Sequence, residues 1–285
     1  MTINLPPAII DTHLHIWDVQ HLNYAWLSDV PAINRTFTIS DYQRAIARVP
    51  VQAMVFVQCE CEPEQYKREI DYVTQAAAID PRIRGLVAWF PLEQPNIDTE
   101  LQALQAYFLV RGVRRLEESP RSLYEQPQFI ENVSKLATVG LSFDICLKAH
   151  QLPAAISLVE QCPDTAFMLD HLGKPNIAGK ELANWQTHIR QLASHPHVFC
   201  KVSGLVTEAN WKHWRLDELR PYFEFVVEQF GTDRLVFGGD WPVMTLAASY
   251  TTWLDSVLTL CADWTNDERD CLFRANAERF YRLTP

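Results

Sequence analysis

A chain of 285 residues with 48% hydrophobic and 21% charged side chains has the balance of an ordinary globular protein, which excludes disordered and fibrous classes. Its length suits one α/β barrel of about 250 residues better than two smaller domains, so a single domain over residues 1–285 is expected. The formal net charge of -10 argues against a nucleic-acid partner, because polyanions recruit basic patches and none occurs here.

No run approaches the roughly 18 consecutive apolar residues of a membrane span. The opening residues lack the basic and apolar regions of a secretory signal, so neither membrane nor export is expected and a cytoplasmic address is the default. The seven cysteines show no repeated spacing and read as reduced thiols, with Cys59 and Cys61 packing on one face of a strand.

In chain order, short apolar runs predict eight strands at residues 9–15, 53–57, 85–90, 110–114, 141–147, 166–169, 198–202 and 235–238. Between them, apolar residues at helical spacing predict helices over 64–79, 128–139, 153–161, 185–193 and 218–230. A last helix is expected over 266–283, capped by Thr265 or Asn266. Residues 17–39 are too long and too aromatic for a plain connector and predict a lid over the barrel mouth. No Gly-x-Gly-x-x-Gly turn follows any strand, so the α/β rhythm points to a (β/α)8 TIM barrel and not to an open doubly wound sheet.

Active sites of this barrel sit at the C-terminal ends of the strands, and polar residues interrupt the apolar runs there. Strand one ends in Asp11-Thr12-His13-Leu14-His15, strand four in Arg114-Arg115, and strand five in Lys148-Ala149-His150. Strand six ends in Asp170-His171, strand seven carries Lys201, and strand eight is followed by Asp240-Trp241. His13 and His15, two apart on a strand, point to the same side and can approach one ion or one substrate group.

Asp240 is the expected general base, since an ionised carboxylate within reach of a water can take its proton. Arg114 and Lys201 would be buried charges unless a ligand met them, and both are expected to bind substrate. His171 is expected either to ligate a metal or to polarise a carbonyl, and His150 to assist catalysis. Lys148 would stabilise an oxyanion or pair with an acid such as Glu117. Trp26, Trp89 and Trp241 are candidates to wall the pocket, with core packing the alternative for Trp89, while His21, His188, His195, His197 and His213 read as solvated. The absence of a Gly-x-Ser-x-Gly elbow argues against a covalent serine nucleophile.

These strand ends, together with Leu169-Asp170-His171-Leu172-Gly173-Lys174-Pro175, Lys201-Val202-Ser203-Gly204-Leu205 and Gly239-Asp240-Trp241-Pro242, resemble the amidohydrolase superfamily, in its sugar-lactonase and pyrone-dicarboxylate hydrolase branch. The resemblance covers nearly the whole chain. It implies a hydrolase with Asp240 as base, acting on a small-molecule lactone such as L-fucono-, L-rhamnono- or galactonolactone. Its alternatives are a carboxylated pyrone or muconolactone, or a metal-dependent decarboxylase on the same frame; a silent sugar-acid-binding protein is the non-enzymatic rival.

Binuclear members carry a bridging lysine or glutamate where this chain offers Arg114, so two metals are not expected. A single zinc or manganese would be held by His13, His15, Asp240 and either His171 or His150, and metal-free catalysis is the alternative. Monomer and homodimer are both compatible with the sequence.

Overall fold

The computed structural model describes Pro6, residues 8–117 and residues 122–283. Its strands are β1 Ile9–Leu14, β2 Val51–Val57, β3 Ile83–Ala88, β4 Val110–Leu116, β5 Ser142–Cys146, β6 Phe167–Leu169, β7 Val198–Val202 and β8 Leu235–Phe237. They form one sheet in sequential order, with each neighbouring pair parallel. All eight expected strands are present, each within two residues of its predicted ends.

The sheet closes just beyond β8. Leu14 bridges Trp241 in parallel, the His15 amide donates to the Trp241 carbonyl, and the Asp240 amide donates to the His13 carbonyl, both at 2.8 Å. Closure therefore couples the two histidines of β1 directly to the segment carrying Asp240.

Two apolar layers hold this frame. The larger lies between the strands and the surrounding helices. The smaller fills the barrel floor, where Ile10, Val55, Val57, Val87, Met168 and Val236 meet Ala277, Phe280, Tyr281 and Leu283 from the end of the chain. The expected helix over 266–283 is broken: Asn266–Asp270, with the Thr265 capping box, passes through a π-turn at Cys271–Ala275 into Asn276–Tyr281. The wider turn shifts the helical register and lets the following residues face the barrel interior.

Residues 17–39 hold two short 3-10 turns, Ala25–Asp29 and Pro31–Ile33. Trp17 and Phe37 exchange backbone hydrogen bonds at the base of this segment, and Trp26 Nε1 donates to the Cys59 carbonyl at 2.8 Å. The segment is thereby fastened to the loop after β2, as a lid over the mouth requires. The cysteines are all free, and no helix among the described residues is long and apolar enough to cross a membrane.

Candidate active site

Strand β1 sets the site through one extra residue. Asp11 pairs with Met54 and Leu14 with Phe56, so three residues on β1 span two on β2. Such a bulge reverses the side on which following residues emerge. Asp11 therefore faces the helix layer, where its carboxylate accepts from the Tyr42 hydroxyl at 2.7 Å and the Tyr250 hydroxyl at 3.0 Å. It also accepts from the amides of His13 and Gly239 at 3.0 and 2.7 Å, which ties the histidine strand to the Asp240 loop. His13 and His15 turn into the barrel.

Hydrogen bonds orient the imidazoles. His15 Nδ1 lies 2.7 Å from the Val57 carbonyl, so it carries a hydrogen, and Nε2 faces Asp240 Oδ1 at 3.6 Å. His171 Nδ1 meets the Ser203 hydroxyl at 2.8 Å. Gly204, at φ +65°, passes so close to that ring that a Cβ there would collide with His171 Nδ1. His171, Lys174 and Asp240 themselves have positive φ values of 55°, 44° and 58°, a clustering of costly backbone at the site.

The electrostatics favour an ionised Asp240, while burial resists protonation of His13 and His171. Burial would raise the Asp240 carboxyl, but His171 and His15 beside it hold it below the usual carboxylate range. Burial pushes His171 down to about 4 and His13 well below the ordinary imidazole value.

A buried charge layer lies underneath. Lys201 Nζ sits 2.8 Å from Asp170 Oδ1, 3.0 Å from Asp144 Oδ2 and 3.2 Å from His13 Nδ1. Tyr281, from the closing helix, donates to Asp144 Oδ2 at 2.7 Å. Arg114 reaches Asp170 Oδ2 and His13 Nε2, each at 3.3 Å, and donates to the Gln58 carbonyl at 2.6 Å.

Above the layer opens a cavity of about 320 Å³, into which His15, Arg114, His171, Asp240, Trp26 and Lys148 face. Other expected site residues lie elsewhere. Lys201 is fully buried below the cavity, because two carboxylates hold it, and it is not positioned to touch substrate. Trp241 packs edge-on against Phe37 and Tyr42 at 5.4 and 5.5 Å and belongs to the aromatic layer behind the site. His150 is exposed in the 3-10 turn Ala149–Gln151, outside the cavity, because the chain turns outward after Lys148.

Lys148 pairs with Glu208 at 3.4 Å. Glu117 instead accepts from the Leu123 and Tyr124 amides. Of the two readings of Trp89, the structure has the core one: it is buried and does not line the cavity. Of the histidines read as solvated, His188, His195 and His197 are half-buried away from the site.

Sequence reasoning gave no role to Asp170, Asp144, Lys174, Glu208 or Trp211. Asp144 carried a signal, a charge inside an apolar strand, and Lys174 stood in the stretch after His171. Glu208 and Trp211 carried none, since only the folded loop after β7 brings them to the mouth.

Two sets of donors, His13 with His15 and Asp240, and His13 with Asp170 and His171, each lie within 4.8 Å of one another. Ligands of a tetrahedral ion bound at about 2.0–2.2 Å sit roughly 3.3–3.6 Å apart. Asp240 Oδ1 lies 3.6 Å from His15 Nε2 and 3.8 Å from His13 Nε2, so the first set fits one divalent ion with small adjustments. Arg114 contacts the same His13 nitrogen and would yield it to an ion.

A parallel eight-stranded barrel with histidines ending β1 and following β6, and an aspartate following β8, defines the class: the chain matches the amidohydrolase family over residues 10–283 and belongs to it. It is 30% identical over 281 residues to L-fucono-1,5-lactonase of Burkholderia ambifaria, covering 96% of this chain and 95% of that protein. It is 20% identical over 332 residues to L-rhamnono-gamma-lactonase of Scheffersomyces stipitis, covering 96% and 98%. The crystal structure of an amidohydrolase from Burkholderia multivorans with bound zinc superposes with a TM-score of 0.88 at 28% identity, over 97% of this chain and all of that one.

Proposed function

We propose that this protein hydrolyses the lactone of a small sugar acid, with Asp240 as the base. The observation that carries the reading is an Asp240 carboxylate held ionised, facing the cavity beside His15 and a His171 imidazole that burial pushes down to about 4. Asp240 takes a proton from a water, the resulting hydroxide attacks the ring carbonyl, and charge develops on the carbonyl oxygen. With the Ser203 hydroxyl donating to its Nδ1, 2.8 Å away, His171 would present Nε2–H to that oxygen, and the Arg114 guanidinium adds positive potential nearby. The C–O bond of the ring then breaks, the departing oxygen takes the proton from Asp240, and an open-chain hydroxy acid leaves.

His13, His15 and Asp240 would hold a divalent ion, zinc or manganese by donor type, which would polarise the carbonyl and acidify the water.

Charge balance favours a neutral sugar lactone over a carboxylated pyrone. Arg114 faces Asp170 and Lys148 faces Glu208, and Glu60 joins them at the mouth, so acids accompany the cations that a carboxylated substrate would need.

The test is pH-stat acid release from fucono-, rhamnono-, galactono- and muconolactones, with and without chelator, beside Asp240→Asn. Acid release from the aldonolactones, lowered about 10²–10⁴-fold by the substitution, is the expected result. Silence across the panel would sink the lactonase reading and favour the decarboxylase; full turnover by Asp240→Asn would remove the base assignment.

A further inference from the structure

Four consecutive residues after β6 take left-handed backbone. His171, Leu172, Gly173 and Lys174 have φ values of 55°, 53°, 71° and 44°, a conformation that crowds Cβ against the following carbonyl oxygen and that only glycine adopts freely. Such a run persists only where its surroundings hold it, and it clusters at functional sites. Here the Lys174 amide donates to the His171 carbonyl and Trp185 Nε1 to the Leu172 carbonyl, both at 2.8 Å, while the Leu172 side chain is fully buried. A turn closed between residues three apart brings their side chains to one side, and His171 and Lys174 both line the cavity.

Lys174 differs from the other cations of the cavity wall. Arg114 has Asp170 at 3.3 Å and Lys148 has Glu208 at 3.4 Å. Among the described residues no carboxylate forms an ion pair with the Lys174 ammonium, which sits beside the Cys146 thiol. Burial would lower its pKa, but the acidic groups around it, Cys146, Glu208 and Asp240, hold it above the ordinary lysine value, so it is charged at neutral pH.

Hydrolysis of a neutral lactone creates one negative charge. The water oxygen bonds to the carbonyl carbon, the ring C–O bond breaks, and the ring oxygen keeps the electron pair and takes the proton carried by Asp240. The new carboxylic acid loses its own proton to solvent, and its carboxylate then faces an ionised Asp240. We propose that the Lys174 ammonium is a second catalytic group, which meets the charge developing on the lactone carbonyl and then holds the product carboxylate, beside His171 on the same turn. This inference rests on the lactonase reading above. An unpaired cation suits the task, since a donor already aimed at developing charge has no partner to release. A carboxylated lactone would bring a second anion, and Arg114 and Lys148 already have theirs.

Hydrolysis of L-fuconolactone is followed for wild type, Lys174→Met and Lys174→Arg, with a melting curve for each. Two inhibitors are compared: L-fuconate, and L-fucitol, which has an alcohol in place of the carboxylate. Lys174→Met should lower kcat about 10²–10³-fold, as loss of one oxyanion donor does, with little change in KM for the neutral lactone. Its inhibition constant for L-fuconate should rise about 10–100-fold while that for L-fucitol stays put, a split that a merely structural lysine would not produce. Lys174→Arg keeps the charge and should keep the preference for L-fuconate, which wild type should bind at least about 10-fold more tightly than L-fucitol. Unchanged kcat and L-fuconate inhibition in folded Lys174→Met, or parallel weakening of both inhibitors, would overturn the role of Lys174 while leaving the lactonase reading intact. Should neither variant fold, equal inhibition of wild type by the two compounds would overturn it as well. No acid release from any lactone of the panel would overturn both.

Discussion

Lys201→Met tests the charge layer on which the site rests. The ammonium is fully buried 2.8 Å from Asp170 and 3.0 Å from Asp144. Without it, two carboxylates remain buried together, Asp170 with Arg114 and His13, and Asp144 with the Tyr281 hydroxyl, as their remaining partners. Removing one member of a buried ion pair costs about 3–5 kcal/mol. At about 2 °C per kcal/mol for a chain of this length, the melting temperature should fall by roughly 6–10 °C.

The deficit should depend on pH with a defined sign. Burial raises Asp144 to about 6, although Lys201 opposes the shift. The folded state therefore binds this proton more tightly than the unfolded chain, and the group's unfavourable contribution grows as pH rises from about 4 to about 6. Loss of Lys201 raises the folded pKa further and carries that window to higher pH, so the deficit should be larger at pH 8 than at pH 5. Adding Asp144→Asn should recover part of it, since the orphaned charge is gone. Thermal unfolding followed by circular dichroism at both pH values measures the effect. A variant melting within about 2 °C of wild type at pH 8, or a deficit that grows on acidification, would refute the reasoning.

Three further outcomes follow from the site geometry. With His171 held near 4 by burial and Asp240 held below its ordinary value, kcat/KM on the preferred lactone should stay flat from about pH 5 to pH 8, its acid limb lying lower; a limb near 6.5 would show a histidine titrating in the reaction. His150→Ala removes an exposed side chain outside the cavity, so kcat/KM should stay within about twofold, the effect of an ordinary surface change, and a large loss would return His150 to the site. Gly204→Ala forces a left-handed conformation and a collision with His171, costing about 1–2 kcal/mol of stability and, through displacement of the imidazole, on the order of 10² in kcat; normal turnover in the folded variant would remove His171 from the mechanism.

The eight strands were legible because a barrel strand covered by helices must be apolar on both sides, so each stands out as a run cut off where the chain reaches the polar mouth. That cut-off also marked His13, His15, Arg114, His171 and Asp240, since a charge or imidazole next to such a run has little reason to be there except a site. Local sequence determined this much: which residues stand at which strand ends, and that the closing helix is capped at Thr265 or Asn266, of which Thr265 takes the place.

Tertiary structure decided depth, side and partner. Alternation alone puts Asp11 with His13, but the one-residue bulge in β1 turns them apart. Lys201 resembles Arg114 in sequence, yet it lies below the cavity because Asp144 and Asp170 from two other strands converge on it. Lys148 meets Glu208 sixty residues away, His150 leaves with an outward turn, and Trp241 is taken by Phe37 and Tyr42. Periodicity encodes only the direction in which a side chain leaves its own strand. How far down the barrel it sits and which charge awaits it depend on register, tilt and loop contacts between segments far apart in the chain.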